Sequence, residues 1–220
     1  MSTWFKDRAL TLVLMGCFVI FLAGQFATGF AEYNDEQRLD GRPAVSFSAY
    51  LGTGHPWEAT FENWESEFLQ MSAFVVLTTF LYQRGSPESR KPGAIELVDT
   101  DPRDFADRDD VPWPVKRGGW VLTIYEHSLG LVLFFLFVVS WMGHVVGGWA
   151  DYRSDQALHG IAVGGPVDYL TSTRFWFESF QNWQSEFLSV AAVVWLSVYL
   201  RQRWSPESKP VHAAHADTGR

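Results

Sequence analysis

Two acidic residues, Glu67 and Glu186, end the same pattern, F-x-N-W-x-S-E, just before two separate apolar runs. On a helix, residues three or four positions apart lie on one face, so each copy of the pattern predicts a polar stripe. Charged and amide groups within an apolar helix are suited to binding a proton or a cation. The candidate residues of this stripe are Asn63, Ser66, Glu67, Asn182, Ser185 and Glu186.

Gln25 and His144 extend this candidate set. Like Glu67 and Glu186, each lies at the same sequence separation from a basic or histidine residue. The separation is 17 residues for the pairs Glu67 and Arg84, Glu186 and Arg203, Gln25 and Arg8, and His144 and His127. In a helix this is about 25 Å, which in a hydrocarbon layer about 30 Å thick is close to the outer leaflet. We therefore expect Gln25, His144 and the two glutamates at one height.

Three interpretations of these polar residues remain open. In the first, each glutamate accepts hydrogen bonds from loop backbone or tryptophan donors of its own repeat and is only structural. In the second, Glu67, Glu186 and His144 bind protons or a cation on a transport path. In the third, His144 and the two carboxylates hold a metal. Haem is disfavoured because His127 and His144 lie at opposite ends of one predicted helix. The metal interpretation is the least favoured of the three, and we predict no cofactor and no metal.

The positions of the two glutamates reflect an internal duplication of the chain. A shift of 119 residues aligns 31–89 with 150–208 without a gap and gives 25 identities. Such self-similarity indicates one structural unit used twice. The sequence therefore predicts two two-helix repeats, 1–90 and 117–210, an acidic cytoplasmic linker with several prolines at 91–116, and a flexible tail at 211–220.

Four apolar runs predict an all-α membrane protein with four transmembrane helices. Ala9–Ala31 and Val121–Val146 are long enough to cross a bilayer. Phe68–Tyr82 and Phe187–Leu200 are too short, so their helices must begin upstream, within the F-x-N-W-x-S-E pattern. A cleavable signal peptide is the rival interpretation of the first run, but the matching run of the second repeat is internal and cannot be cleaved.

The distribution of basic residues predicts the orientation of these helices. Thirteen Lys and Arg residues lie at the termini and in the central loop, against four in the other two loops. Both termini are therefore expected in the cytoplasm. Two spans per repeat keep the copies in the same orientation, so a pseudo-twofold axis should run along the membrane normal. The outer loops should form a cap with short helices near 32–39 and 46–52.

Two shorter patterns have structural explanations. Q-R-x-S-P-E-S follows each of the two shorter apolar runs, whose helices return across the membrane. Pro87 and Pro206 in this pattern cannot continue a helix. The serine before each proline could also cap a short surface helix. Gly143-x-x-x-Gly147 permits close approach of another helix.

The repeated F-x-N-W-x-S-E-F-L and Q-R-x-S-P-E-S patterns, with the run from Arg174 to Trp183, resemble a family of bacterial integral membrane proteins known only as a domain of unknown function. The resemblance covers essentially the whole chain. It implies a multi-pass protein of the bacterial inner membrane, and it supplies no catalytic residues to carry over.

The sequence contains no phosphate-binding loop, nucleophile elbow, Cys/His metal spacing or basic nucleic-acid patch. We therefore expect a non-enzymatic membrane protein that does not bind nucleic acid. A transport-like site for an ion or proton around Glu67 and Glu186 is the favoured function. The alternative is a structural or accessory subunit of a larger membrane complex. The expected partners are the lipid bilayer and either a second copy of the chain or that larger complex.

Overall fold

A computed structural model describes residues 3–91 and 93–219, so Pro92 of the predicted linker and Arg220 of the predicted tail lie outside the described residues. Helices are the only regular elements within those two ranges, which confirms the predicted all-α class. The α-helices are α1 Thr3–Asp7, α2 Ala9–Leu39, α3 Phe47–Tyr50, α4 His55–Leu77, α5 Trp113–Arg117, α6 Gly119–Glu126, α7 Ser128–Leu158, α8 Pro166–Leu170 and α9 Thr173–Tyr199. Two short 3-10 segments, Leu97–Asp99 and Pro102–Phe105, lie in the linker.

Helices α2 and α7 are long and apolar enough to cross a membrane. None of the most apolar 18-residue stretch of α2 is buried within the chain, and only 17% of that of α7 is buried. The core helix of a water-soluble protein would bury such a surface against its own chain. The two helices therefore have the surface expected of membrane spans.

Both long helices end in the same way, two residues before a glycine. Gly41 and Gly160 each have a φ of +69°, a left-handed conformation that glycine adopts without strain. The backbone N–H of Arg42 donates to Gln37, and that of Ile161 donates to Gln156, which closes the left-handed cap. The separate helix predicted near 32–39 is wrong, because those residues continue α2. The short helix predicted near 46–52 is confirmed by α3.

The span predicted over Val121–Val146 is interrupted at His127, which separates α6 from α7. His127 has φ −109° and ψ 7°, outside the helical region. Its backbone N–H donates to the carbonyl of Tyr125, and the Ser128 hydroxyl donates to the same oxygen at 2.8 Å. Arg8, at the equivalent position of the first copy, separates α1 from α2 with φ −123° and ψ 10°.

The prediction that the returning helices begin upstream of their apolar runs is confirmed, since α4 starts at His55 and α9 at Thr173. Helix α4, however, ends at Leu77 and not at the predicted Tyr82. The hydroxyls of Thr78 and Thr79 donate to carbonyls of the last turn, at 2.9 Å to Phe74 and 2.7 Å to Val76. Such bonds compete with helix continuation. The 17 residues from Glu67 to Arg84 are therefore not all helical, and their number does not fix the height of Glu67.

Two compact units result from the contacts between residues. The first unit contains the chain up to Phe61 together with Gly143–Phe175, and the second contains Glu62–Met142 together with the chain from Trp176 onwards. Each unit combines parts of both sequence repeats. The predicted division of the chain at 90, 116 and 210 stays a prediction, as does the mobility of its linker and tail.

Candidate functional site

Two buried tyrosines, Tyr50 and Tyr169, organise the first unit. Each is packed over a glycine of a long helix, Tyr50 over Gly29 and Tyr169 over Gly148, and a Cβ at either glycine would overlap the tyrosine hydroxyl. These pairs lie at equivalent positions of the two sequence copies. Both tyrosines are almost completely inaccessible, with 1% and 0% of their surface exposed. A buried tyrosine hydroxyl requires a hydrogen-bonding partner, and both have one.

Tyr169 connects the buried His144 to an acidic residue. Its hydroxyl lies 3.2 Å from Nε2 of His144 and donates to Oε1 of Glu58 at 3.4 Å. Since the single hydroxyl proton is directed to Glu58, His144 is the donor to the tyrosine oxygen. His144 is fully buried, and its ring stacks on Phe175 with centroids 4.8 Å apart.

Arg174 connects this group to the end of α7. Its guanidinium lies 3.2 Å from Glu58, 3.0 Å from Asp151 and 3.6 Å from Asp155. The side chain of Glu58 is 8% exposed whereas that of Asp155 is 48% exposed, so the pairs extend from the buried group to the surface of the unit. We name the residues His144, Tyr169, Glu58, Arg174 and Asp151 the histidine network.

Close packing of α4 on α7 holds the histidine network together. A Cβ at Gly143 would overlap the ring of Phe61, and one at Gly147 would overlap the backbone of Trp57 and Glu58. Gly54 likewise lies against the backbone of α7. The predicted role of Gly143-x-x-x-Gly147 in close approach is thus confirmed, and its partner is α4.

Tyr50 has a different environment from Tyr169. Its hydroxyl lies 3.3 Å from Nδ1 of His55. The centroids of the Tyr50 and Tyr33 rings are 5.5 Å apart. Burial, followed by the negative charges of Glu32 and Asp151, raises the pKa of Tyr50 above its ordinary value. His55 occupies the position equivalent to Arg174, so the two copies differ in the side chain at this position.

Gln25 lies in the first unit with His144, at the equivalent sequence position. Its amide nitrogen donates to the hydroxyl of Thr60 at 3.2 Å, and that hydroxyl donates to the carbonyl of Pro56 at 2.7 Å. The structure thus places Gln25 against the N-terminal part of α4.

In the second unit, the two copies of F-x-N-W-x-S-E contact each other directly. The side-chain amide of Asn182 donates to the carboxylate of Glu62, and the indole of Trp183 donates to Oε1 of Glu65 at 2.9 Å. Glu65 and Ser66 are buried, with 0% and 1% of their surface exposed. Ser66 and Ser185 bond to backbone carbonyls three residues earlier, those of Asn63 and Asn182. The predicted motif residues are therefore used in part for helix packing.

The two central candidates, Glu67 and Glu186, also belong to the second unit and lie close enough for their charges to interact. Glu67 and Asn63 are exposed on the surface of the chain, and Glu186 is half-buried. Of the predicted stripe, Ser66 is therefore buried whereas Glu67 is exposed, and the neighbouring buried carboxylate is that of Glu65.

The Q-R-x-S-P-E-S pattern folds as a closed turn in both copies. The backbone N–H of Gln83 donates to the hydroxyl of Ser89 at 2.8 Å, and that of Gln202 donates to Ser208 at 2.9 Å. The serine before each proline accepts from the glutamate N–H two residues later at 3.2 Å. No helix follows either serine directly, so the alternative that it caps one is wrong.

Glu58, Tyr169, Arg174 and Asp151 were not among the site residues predicted from the sequence. The tyrosine could have been found, because Tyr50 and Tyr169 match between the repeats. Glu58 could not, because its equivalent is Phe177. Within 3–91 and 93–219, no group of three or more His, Cys, Asp or Glu side chains is placed to hold a metal ion.

Comparison with protein families assigns the chain to one of them. The model of a domain of unknown function, DUF6766, matches residues 1–220. The chain belongs to this family. The predicted resemblance to a domain of unknown function is thereby confirmed. Neither the curated proteins nor the solved structures give a match. The family description names no activity, so function must be argued from the geometry above.

Proposed function

We propose that the protein is a non-enzymatic, multi-pass protein of the bacterial inner membrane that binds and passes protons through the histidine network. The observation that carries this proposal is the fully buried His144, hydrogen-bonded through Tyr169 to Glu58. An ionisable group inside a membrane protein is costly to bury and is generally retained for function.

The unburied apolar surfaces of α2 and α7 support the membrane location. We propose α4 and α9 as two further spans, with 23 and 27 residues. At 1.5 Å per residue, both are long enough for a hydrocarbon layer about 30 Å thick. The excess of basic residues at the termini and in the central loop supports a cytoplasmic location for those segments.

Equivalent local features support the proposed tandem repeat. The helix breaks at Arg8 and His127 and the left-handed glycines Gly41 and Gly160 each differ by 119 positions. The helix contacts of the second unit support the proposed twofold axis. Glu62 bonds to Asn182 and Glu65 bonds to Trp183, so each residue meets a near-equivalent of itself, as in contacts across a twofold axis.

The histidine network has the connectivity that proton transfer needs. A protonated His144 can give its Nε2 proton to the oxygen of Tyr169 while the tyrosine gives its own proton to the carboxylate of Glu58. The tyrosine is neutral before and after, and the net result is one proton moved from His144 to Glu58. Arg174 stabilises the ionised carboxylate before the transfer, because it lies 3.2 Å from Glu58. Arg174 also pairs with the exposed Asp155, so this end of the histidine network reaches the surface of the unit.

The test is proton flux into liposomes that contain the purified protein and a pH-sensitive dye. His144→Gln introduces the residue found at the equivalent position, Gln25, which makes folding of the variant expected. We expect at least a tenfold loss of flux for His144→Gln and for Tyr169→Phe. His159→Gln, a change at an exposed histidine of the same first unit, is the control and should retain flux. Equal flux in all four proteins would overturn the proposal.

A second function, as a subunit of a homodimer or a larger membrane complex, is supported by the exposure of Glu67 and Asn63 on α4. A carboxylate facing lipid is costly, so a partner that covers it is favourable. Glu67→Leu should then weaken self-association or co-purification, whereas Glu207→Leu in the exposed cytoplasmic turn should not. A protein that is monomeric in mild detergent and purifies alone from native membranes would contradict this function.

A further inference from the structure

The second unit contains a cleft of about 660 Å³ formed by two segments that the histidine network does not use. One segment is the turn of the first Q-R-x-S-P-E-S copy with its flanking residues, and the other is the C-terminal tail. The lining residues are Tyr82, Arg84, Lys91, Lys209, Ala213, Ala216, Asp217, Thr218 and Gly219. Three of these side chains are basic and one is acidic, in a chain whose formal net charge is −8.

Hydrogen bonds hold the two segments of the cleft in place. Gly85 donates its backbone N–H to the hydroxyl of Thr218 at 2.8 Å, and Gly219 donates to the carbonyl of Ser86 at 3.0 Å. Lys209 is 2% exposed and donates from Nζ to three tail carbonyls, those of Ala214 and His215 at 3.0 Å and that of Asp217 at 2.9 Å. The hydrogen-bonded tail thus forms one wall of the cleft.

The basic groups of the cleft differ in their availability. The ammonium group of Lys209 is occupied by the three carbonyls, and burial lowers the pKa of Lys209. Arg84 and Lys91 are exposed, and within the described residues neither side chain forms an ion pair. Two unpaired cations beside this wall are suited to an anion with several acceptor oxygens.

The surroundings of the cleft indicate the source of that anion. Phe80, Leu81 and Tyr82 follow the end of α4 and are 65%, 57% and 60% exposed. A smaller groove of about 280 Å³ contains these three residues and shares Tyr82 and Lys91 with the cleft. Thr78, Thr79 and Arg90 also line this groove. Exposed apolar side chains next to a cationic cleft match an acyl chain joined to a phosphate headgroup.

We propose that this cleft binds the phosphate of an anionic phospholipid in the cytoplasmic leaflet through Arg84 and Lys91. The proposal relies on the membrane location given above and is independent of proton binding. Juxtamembrane basic residues each strengthen binding to anionic lipid by roughly fivefold. The loss of both should therefore weaken binding by about tenfold or more.

The experiment measures lipid binding to the full-length purified protein in detergent, with phosphatidylglycerol, phosphatidylcholine and inorganic phosphate as separate probes. We expect phosphatidylglycerol to bind at least tenfold more tightly than phosphatidylcholine, and this preference to be lost in Arg84→Gln with Lys91→Gln. The control is Arg203→Gln with Lys116→Gln, which removes the same charge from exposed positions outside the cleft.

Circular dichroism without lipid should show the same melting temperature for both double variants, which separates lost binding from lost folding. Equal binding of the two lipids would overturn the proposal. So would a control double variant that loses the preference for phosphatidylglycerol as fully as Arg84→Gln with Lys91→Gln. Inorganic phosphate that binds as tightly as phosphatidylglycerol would overturn the assignment to lipid. Because no flux is measured, these outcomes do not depend on the histidine network.

Discussion

The hydroxyl of Tyr169 occupies the space beside Gly148 where any larger residue would place its Cβ. Tyr50 has the same relationship to Gly29, so each long apolar helix accepts one buried tyrosine at a glycine. The two contacts fix the position of the loop helices α3 and α8 against α2 and α7 within the first unit.

Gly148→Ala should therefore destabilise the protein. The added methyl group would displace the Tyr169 hydroxyl from His144 and Glu58, and overpacking of this kind costs about 1–3 kcal/mol. The free energy of unfolding in detergent measures the effect. Gly24→Ala is the matched control, since a Cβ at Gly24 meets no heavy atom within 4 Å. A Gly148→Ala protein as stable as the Gly24→Ala protein would contradict the packing described.

The raised pKa of Tyr50 predicts a loss of stability at alkaline pH. The folded protein holds this proton more tightly than the unfolded chain, whose tyrosine titrates near pH 10. The stabilisation is therefore complete below about pH 10 and is lost as pH rises towards the folded pKa. Between about pH 8 and pH 11, the free energy of unfolding should fall less steeply with pH in Tyr50→Phe than in the parent protein. Tyr125→Phe, at an exposed residue, should leave the slope unchanged, and equal slopes in all three would refute the prediction.

Ser89→Ala and Ser208→Ala should each open the closed turn of their copy. Each variant leaves one glutamine N–H without its serine acceptor, which costs about 1 kcal/mol. Hydrogen exchange at Gln83 or Gln202 measures the effect, and only the copy that carries the substitution should exchange faster. Ser154→Ala, at an exposed position of α7, is the control. Unchanged exchange in both copies would show that the serine bonds do not close the turns.

Lys209→Met should release the C-terminal tail from the wall of the cleft. Three charge-assisted bonds to tail carbonyls are lost together, so we expect exchange of the tail amides to increase by about tenfold or more. Lys116→Met is the comparison, because the exposed Lys116 donates to a single carbonyl, that of Asp109 at 3.1 Å. Tail exchange that stays at the parent rate would mean that other contacts fix the tail.

The sequence predicted the long helices well because their signals are local. Apolar runs identify α2 and α7, and Gly41 and Gly160 supply the left-handed caps at their ends. The break at His127 has no such signal, since neither proline nor glycine occupies that position. Its counterpart at Arg8 became recognisable only from the backbone angles.

The histidine network could not be predicted because its members are far apart in the sequence and differ between the copies. Glu58 is matched by Phe177, Arg174 by His55 and His144 by Gln25, so the duplication gives no pairing signal. The motif helices were predicted more closely. Glu65 and Glu67 are two residues apart, which is a rotation of about 200° around a helix, so a polar stripe that contains Glu67 leaves out the buried Glu65.

The contacts of Glu62 and Glu65 make the two halves of the chain unequal. Their equivalents in the second half are Gln181 and Gln184, so the acidic side chains come from one copy alone and meet amide and indole donors from the other. A symmetric pair of identical first copies would bring four carboxylates to this crossing, and their mutual repulsion would oppose assembly. Covalent fusion of the halves thus permits a charge pattern that an assembly of separate, identical subunits could not adopt.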